Sequence, residues 1–157
     1  MIKITLLQMG KTHFKFIDEG FSEFSKRLVH YCKFDSKTFE LPTKHKSKDI
    51  NQTKKIESEI FLKNIKPTDF VILLEENGKN YNSIQFANYI EKISTQQSSL
   101  VFIIGGAYGF DESVYERANL KLSFSLFTFS HQLIRLLFIE QLYRCFTIIK
   151  GEPYHHQ

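Results

Sequence analysis

The sequence predicts an α/β domain built on a parallel sheet with helices on both faces. Hydrophobic spacing switches repeatedly between two and about 3.6 residues along the chain, the mark of strands alternating with helices. Two runs, Phe70-Val71-Ile72-Leu73-Leu74 and Leu100-Val101-Phe102-Ile103-Ile104, are apolar at every position, as strands covered on both faces are. A length of 157 residues, 42% hydrophobic and 24% charged, suits one globular domain over 1–157.

The elements follow in order. Ile2 to Met9 reads as a buried strand, broken by Gly10-Lys11-Thr12. From about His13 to Cys32, Phe14, Ile17, Phe21, Phe24, Leu28 and Tyr31 recur at three- and four-residue steps, the stripe of an amphipathic helix. Phe34 to Leu41 is a second strand, and Pro42 to Lys48 a polar loop. Asp49 can cap a helix to Ile65 whose inner side carries Ile56, Ile60 and Leu62; Pro67-Thr68-Asp69 stops it. The strand from Phe70 ends in an exposed turn, Glu75-Glu76-Asn77-Gly78-Lys79. Asn82 or Ser83 caps a helix to about Ser94. After the strand Leu100 to Ile104 comes Gly105-Gly106-Ala107-Tyr108-Gly109, and Asp111 opens a short helix through Arg117. Leu120 to Phe129 is a strand running into a loop. Ser130 caps a final helix from His131 to about Ile149, closed by Gly151 and Pro153.

Composition excludes several classes. No apolar run approaches the roughly 18 residues of a membrane span, and Met1 to Leu7 is too short for a secretory core. Cys32 and Cys145 stand alone, without metal-ligand spacing, as reduced thiols of a cytoplasmic protein do. No metal is expected. The charge of +4 is uneven: residues 1–66 hold 14 Lys/Arg against 8 Asp/Glu, and residues 67–157 hold 7 against 9. The lysine-rich front half is either a solvated face or a surface for a phosphate backbone, with Lys44-His45-Lys46-Ser47-Lys48 its densest patch.

Three constellations could carry chemistry. Gly105-Gly106-Ala107-Tyr108-Gly109 directly follows a buried strand, where open parallel sheets bind ligands. Its glycines are out of order for a dinucleotide fingerprint, and Thr5 stands where a P-loop reading of Gly10-Lys11-Thr12 needs glycine. The final helix is apolar nearly all round, which points to a dimer interface. Its pairs His131/Arg135 and Glu140/Arg144 share helix faces, and Glu140–Arg144 is open to a structural or a functional role. The tail Pro153-Tyr154-His155-His156 carries side chains that move protons and stack on bases.

Taken together, the glycine loop, the loop Ser123 to Ser130, the segments His131 to Arg135 and Glu140 to Arg144, and the Tyr-His tail resemble a known family. These are the RlmH-type methyltransferases of 23S ribosomal RNA, in the SPOUT superfamily. The resemblance spans the whole chain and is most specific from Leu74 onward. It implies a SPOUT-type parallel sheet with a C-terminal trefoil knot, a homodimer, and S-adenosylmethionine held in the knot. The implied substrate is 23S rRNA within the assembled ribosome, methylated at N3 of a pseudouridine in the helix 69 hairpin. The implied cofactor residues are Leu74, Gly105, Gly106 and Gly109, with Ser125, Leu126, Phe127, Thr128, Phe129 and Ser130. Leu74, Leu126 and Phe127 suit apolar walls around the adenine. N3 must lose a proton to attack, so a base or a stabilised anion is needed. His155, with Tyr154 second, is the expected base, and Arg144 the group that steadies negative charge; His156 has the weaker claim. The tail of one subunit is expected to complete the site of the other. A SPOUT enzyme acting on tRNA and a non-catalytic RNA-binding module are the alternatives. Short length without an appended RNA-binding domain disfavours the first, and cofactor binding would dismiss the second.

Overall fold

The computed structural model describes residues 1–45 and 49–156, so Lys46 to Lys48 of the basic patch lie outside the described residues. Among the described residues, five strands alternate with five α-helices: β1 (Lys3–Met9), α1 (Lys15–Leu28), β2 (Lys33–Phe39), α2 (Ile50–Lys63), β3 (Phe70–Asn80), α3 (Ser83–Ser94), β4 (Ser99–Ile104), α4 (Glu112–Arg117), β5 (Leu120–Ser123) and α5 (Leu133–Ile149). The strands form one sheet in the order β2-β1-β4-β3-β5, every pair parallel. The α/β class read from the sequence is therefore the one observed. No helix among the described residues is long and apolar enough to cross a membrane.

The period-two side-chain alternation sorts the core into two layers. Ile4, Leu6, Ile72, Leu100, Phe102, Ile104 and Leu122 face α1, α3 and α5, joining Leu28, Phe86, Ile90, Phe138 and Leu142. Leu7, Val71, Leu73, Val101 and Ile103 face α2 and α4, joining Phe61 and Val114. Caps fall where expected. Asp49 accepts the Gln52 amide, Asn82 and Gln85 form a reciprocal capping box, and Asp111 accepts the Ser113 amide. Helix α5 ends in paired bonds from Gly151 N–H to the Ile148 carbonyl and Glu152 N–H to the Thr147 carbonyl, a Schellman closure.

Two expectations need correction. The inner face of α2 is Thr53, Glu57, Ser58 and Phe61, whereas Ile56, Ile60 and Leu62 are only half-buried. This helix docks on loop backbone as well as on the sheet, so part of its inner face is polar. Glu75 to Lys79 is not a free turn. β3 continues through it to Asn80, and Leu122 of β5 is paired with both Leu74 and Lys79, leaving a bulge between them. Gly78 allows this, because a Cβ there would lie 2.6 Å from the Leu122 backbone. Much of the apolar girth of α5 is met within the chain. α1 and α3 flank it, and none of its 17 residues is fully exposed. Its outer stripe is Leu133, Leu137, Glu140 and Arg144, each half-buried.

Candidate active site

A cavity of about 500 Å³ opens at the carboxyl ends of β3, β4 and β5, where parallel sheets place ligands. Its size is that of a small-molecule site. Three chain segments wall it: the β3 extension from Leu74, the glycine loop, and the loop between β5 and α5. Of the expected cofactor residues, Leu74, Gly105, Gly106, Gly109, Ser125, Phe127, Thr128, Phe129 and Ser130 all line it. Leu126 does not; it projects outward, 91% exposed.

Local hydrogen bonds shape the walls. Ser123 Oγ donates to the Ser125 carbonyl at 2.8 Å, and Ser125 Oγ accepts the Phe127 amide at 2.9 Å, folding the loop back on itself. Ser130 Oγ accepts the Leu133 amide at 3.1 Å, so the expected cap is present although helical geometry begins only at Leu133. Thr128 Oγ1 donates to a carboxylate oxygen of Glu76, which ties the β5–α5 loop across to the β3 extension.

The charge of the lining is informative. Glu75 and Glu76 face the cavity, and no lysine or arginine is among the described residues lining it. His131 lines it too. Burial, followed by Arg135 and His13, holds its imidazole below the ordinary range, so it stays neutral at pH 7. A phosphate-rich cofactor would find no cationic partner here. A cationic ligand with a flat heterocycle finds apolar walls, backbone amides and two carboxylates, and S-adenosylmethionine is such a ligand. Glu75 and Glu76 were not expected to line a site, because they read as a solvent turn, and His131 was read only as sharing a helix face with Arg135.

Arg135, one turn beyond His131, does a different job. It is fully buried and donates to the Met9 carbonyl at 2.7 Å and to Thr12 Oγ1 at 3.0 Å. Gln132 holds the same segment, accepting the His13 amide and donating to the Lys11 carbonyl. The Gly10-Lys11-Thr12 segment is thus a docking point for the start of α5.

The expected catalytic residues gather elsewhere. Arg144 grips one oxygen of Glu140 through Nε at 3.1 Å and Nη2 at 2.6 Å, and the Tyr154 hydroxyl donates to that same oxygen at 3.0 Å. The Arg144 guanidinium lies over the Tyr154 ring, 4.7 Å from its centroid, and Tyr143 packs edge-on against it. Glu140–Arg144 is therefore the base on which the tail is built. Burial first, then the bond to Glu140, pushes the Tyr154 phenol above its usual range. Arg144 Nη1 lies 3.3 Å from His155 Nδ1. Arginine can only donate, so Nδ1 accepts and the ring proton is assigned to Nε2, which is buried without a partner. None of Glu140, Arg144, Tyr154 or His155 lines the cavity. Ile134, which does, precedes Arg144 by ten helical residues, roughly 15 Å along the axis. Among the described residues, no three His, Cys, Asp or Glu side chains assemble a metal site. Cys32 and Cys145 are free and buried, and burial pushes the Cys32 thiol up to about 12.

A parallel sheet with a glycine-loop cavity at its carboxyl edge and a side-chain cluster on the last helix suits a transferase that binds a cationic donor. The chain belongs to the SPOUT methyltransferase family: the family model described as "Predicted SPOUT methyltransferase" matches residues 2–155. Within it, the chain is 48% identical over 155 residues to the ribosomal RNA large subunit methyltransferase H of Christiangramia forsetii, covering 98% of this chain and 99% of that one. It is 45% identical to the proteins of the same name from Parabacteroides distasonis and Flavobacterium johnsoniae, over 99% of this chain and all of theirs. The family that the sequence resembles is thus the family that matches.

Proposed function

We propose that the protein is a homodimeric, S-adenosylmethionine-dependent methyltransferase of 23S ribosomal RNA, acting in the cytoplasm on N3 of a pseudouridine in the helix 69 hairpin of the assembled ribosome. The whole of 1–157 forms one catalytic unit, knotted at its C-terminal end. The observation that carries the donor assignment is the cavity whose charged lining is acidic. The full-length relatives named for large-subunit rRNA methylation support the substrate.

When bound, the donor supplies an electrophilic methyl group on a sulfonium. The chain's task is to hold that group in line with a nitrogen, and alignment alone is worth several kcal/mol, on the order of 7 or more in favourable cases. Leu74 and Phe127 would wall the adenine, and the amides and carbonyls of the glycine and Ser125–Ser130 loops would read its edge. Glu75 and Glu76 favour the cation.

At the acceptor, N3 must lose its imide proton before it attacks. His155 presents an N–H at Nε2 rather than a lone pair. With Arg144 it is suited to stabilising the imide anion through charge-assisted hydrogen bonds, and the proton leaves to water. Tyr154 positions both by its bond to Glu140 and its stack under Arg144.

Cavity and tail lie too far apart on one chain to act on the same two atoms. They meet if two copies pair so that the tail of one faces the cavity of the other. The outer stripe of α5, apolar at Leu133 and Leu137 and charged at Glu140 and Arg144, is the surface for that pairing. The lysine-rich front half then offers RNA contacts on both copies, so ribosome binding should weaken as salt rises.

Mass spectrometry of 23S RNA from cells with and without the protein tests the reaction. Methylated pseudouridine should vanish without the protein and return with its expression. Unchanged 23S RNA would overturn the assignment.

A further inference from the structure

The geometry points to Glu57 as the positioning residue of the donor-binding glycine loop, its carboxylate packed against Gly106 from behind the cavity wall. This rests on the cavity being the donor site.

Glu57 lies mid-way along α2, 6% exposed, the sole buried acidic side chain among the described residues. No cation among the described residues comes within ion-pair distance of it. A buried carboxylate without a counter-charge is costly, and an apolar residue would pack the same place at less cost. Its compensation is the backbone of the loop, where the Gly106 N–H favours the charged form that burial disfavours. The approach is so close that a Cβ on Gly106 would lie 2.7 and 2.9 Å from the two carboxylate oxygens.

The neighbours of Glu57 secure the rest of the loop. Ser58 Oγ accepts the Asp111 amide at 3.3 Å. Phe61, one turn on, packs against Phe110 at 6.3 Å between ring centroids, and the Phe110 ring sits 3.0 Å from where a Gly105 Cβ would be. α2 therefore fixes the loop at Gly106, Phe110 and Asp111, with Glu57 holding the point that faces the cavity. Glu57 itself does not line the cavity, so it acts through Gly106 and not on the ligand.

The test is isothermal titration of the full-length protein with S-adenosylmethionine, at a temperature where circular dichroism shows each variant folded. Glu57→Ala removes the carboxylate from behind Gly106 and should weaken binding about tenfold or more, the scale of one lost polar contact to a charged group. Glu57→Gln keeps an acceptor oxygen and should stay within about threefold of wild type. A purely structural role would lower the melting temperature of Glu57→Ala and leave the affinity of the folded protein unchanged; that result overturns the inference. If Glu57→Ala does not fold, Glu57→Asp decides, because it withdraws the same carboxylate by one methylene. Binding about fivefold weaker is expected, and wild-type affinity would overturn the inference. A wild-type protein that fails to bind the donor at all would overturn the reading of the cavity instead.

Discussion

The cavity and the tail cluster are built on opposite plans. The cavity comes from three distant chain segments and presents backbone groups, apolar walls and glycines. The tail cluster comes from one helix and the residues just after it, and gathers a guanidinium and a phenol on a single oxygen of Glu140, with an imidazole against the guanidinium. Shape and backbone suit the holding of a donor that brings its own reactive group. Concentrated charge suits the acceptor, where an anion must form. One helix serves both: α5 begins beside the cavity at Ile134 and carries the tail's anchor at Glu140 and Arg144.

If the two regions divide the work this way, perturbing one should spare the other's function. Deleting Tyr154 to Gln157 has the largest expected effect. Methylation should fall by about a hundredfold or more, while donor affinity by titration stays within about twofold; a matching loss of affinity would break the division. Gly78→Val attacks the other side. It drives a side chain into the Leu122 backbone and should cost about 1–3 kcal/mol of stability by thermal melting, with donor binding lost alongside. Arg144→Lys keeps the charge but loses the two-nitrogen grip on Glu140. We expect about a tenfold fall in methylation with unchanged donor affinity.

The smallest effect is a pH contrast between the two ends of the glycine loop. Burial raises the Glu57 carboxyl, so the folded state holds its proton longer than the unfolded one, and stability falls as pH rises through that range. The Ser113 hydroxyl and amide lower Asp111, so its contribution is present above the ordinary carboxylate range and is lost as pH falls through its folded value. In urea melts across pH 3 to 8, Glu57→Gln should remove the first slope and Asp111→Asn the second.

Much of the fold was legible because local rules and tertiary packing agree. The apolar runs at Phe70 and Leu100 became central strands, and Asp49, Asn82 and Asp111 became caps. Where tertiary contact overrides local chemistry, the reading missed. Glu75 to Lys79 has the composition of a turn, yet pairing with β5 holds it as strand, and so Glu75 and Glu76 went unnoticed as cavity lining. Thr53, Glu57 and Ser58 look like a solvent face, because nothing local shows that a loop's amides lie against them. The i, i+4 spacing of Glu140 and Arg144 was visible. That Tyr154 would fold back onto the same oxygen depends on the reversal of the chain at Gly151, which orders residues that would otherwise fray.

Mixed dimers test most directly whether the two regions cooperate across subunits. One subunit would lack Tyr154 to Gln157, and its partner would carry Gly78→Val and an intact tail, the two co-purified on different tags. Neither homodimer should methylate 23S RNA. The mixed dimer keeps one working cavity faced by one working tail, and should recover about half of wild-type activity, one site of two. A mixed dimer as inactive as its parents would contradict a site shared between subunits and place cavity and tail function within a single chain.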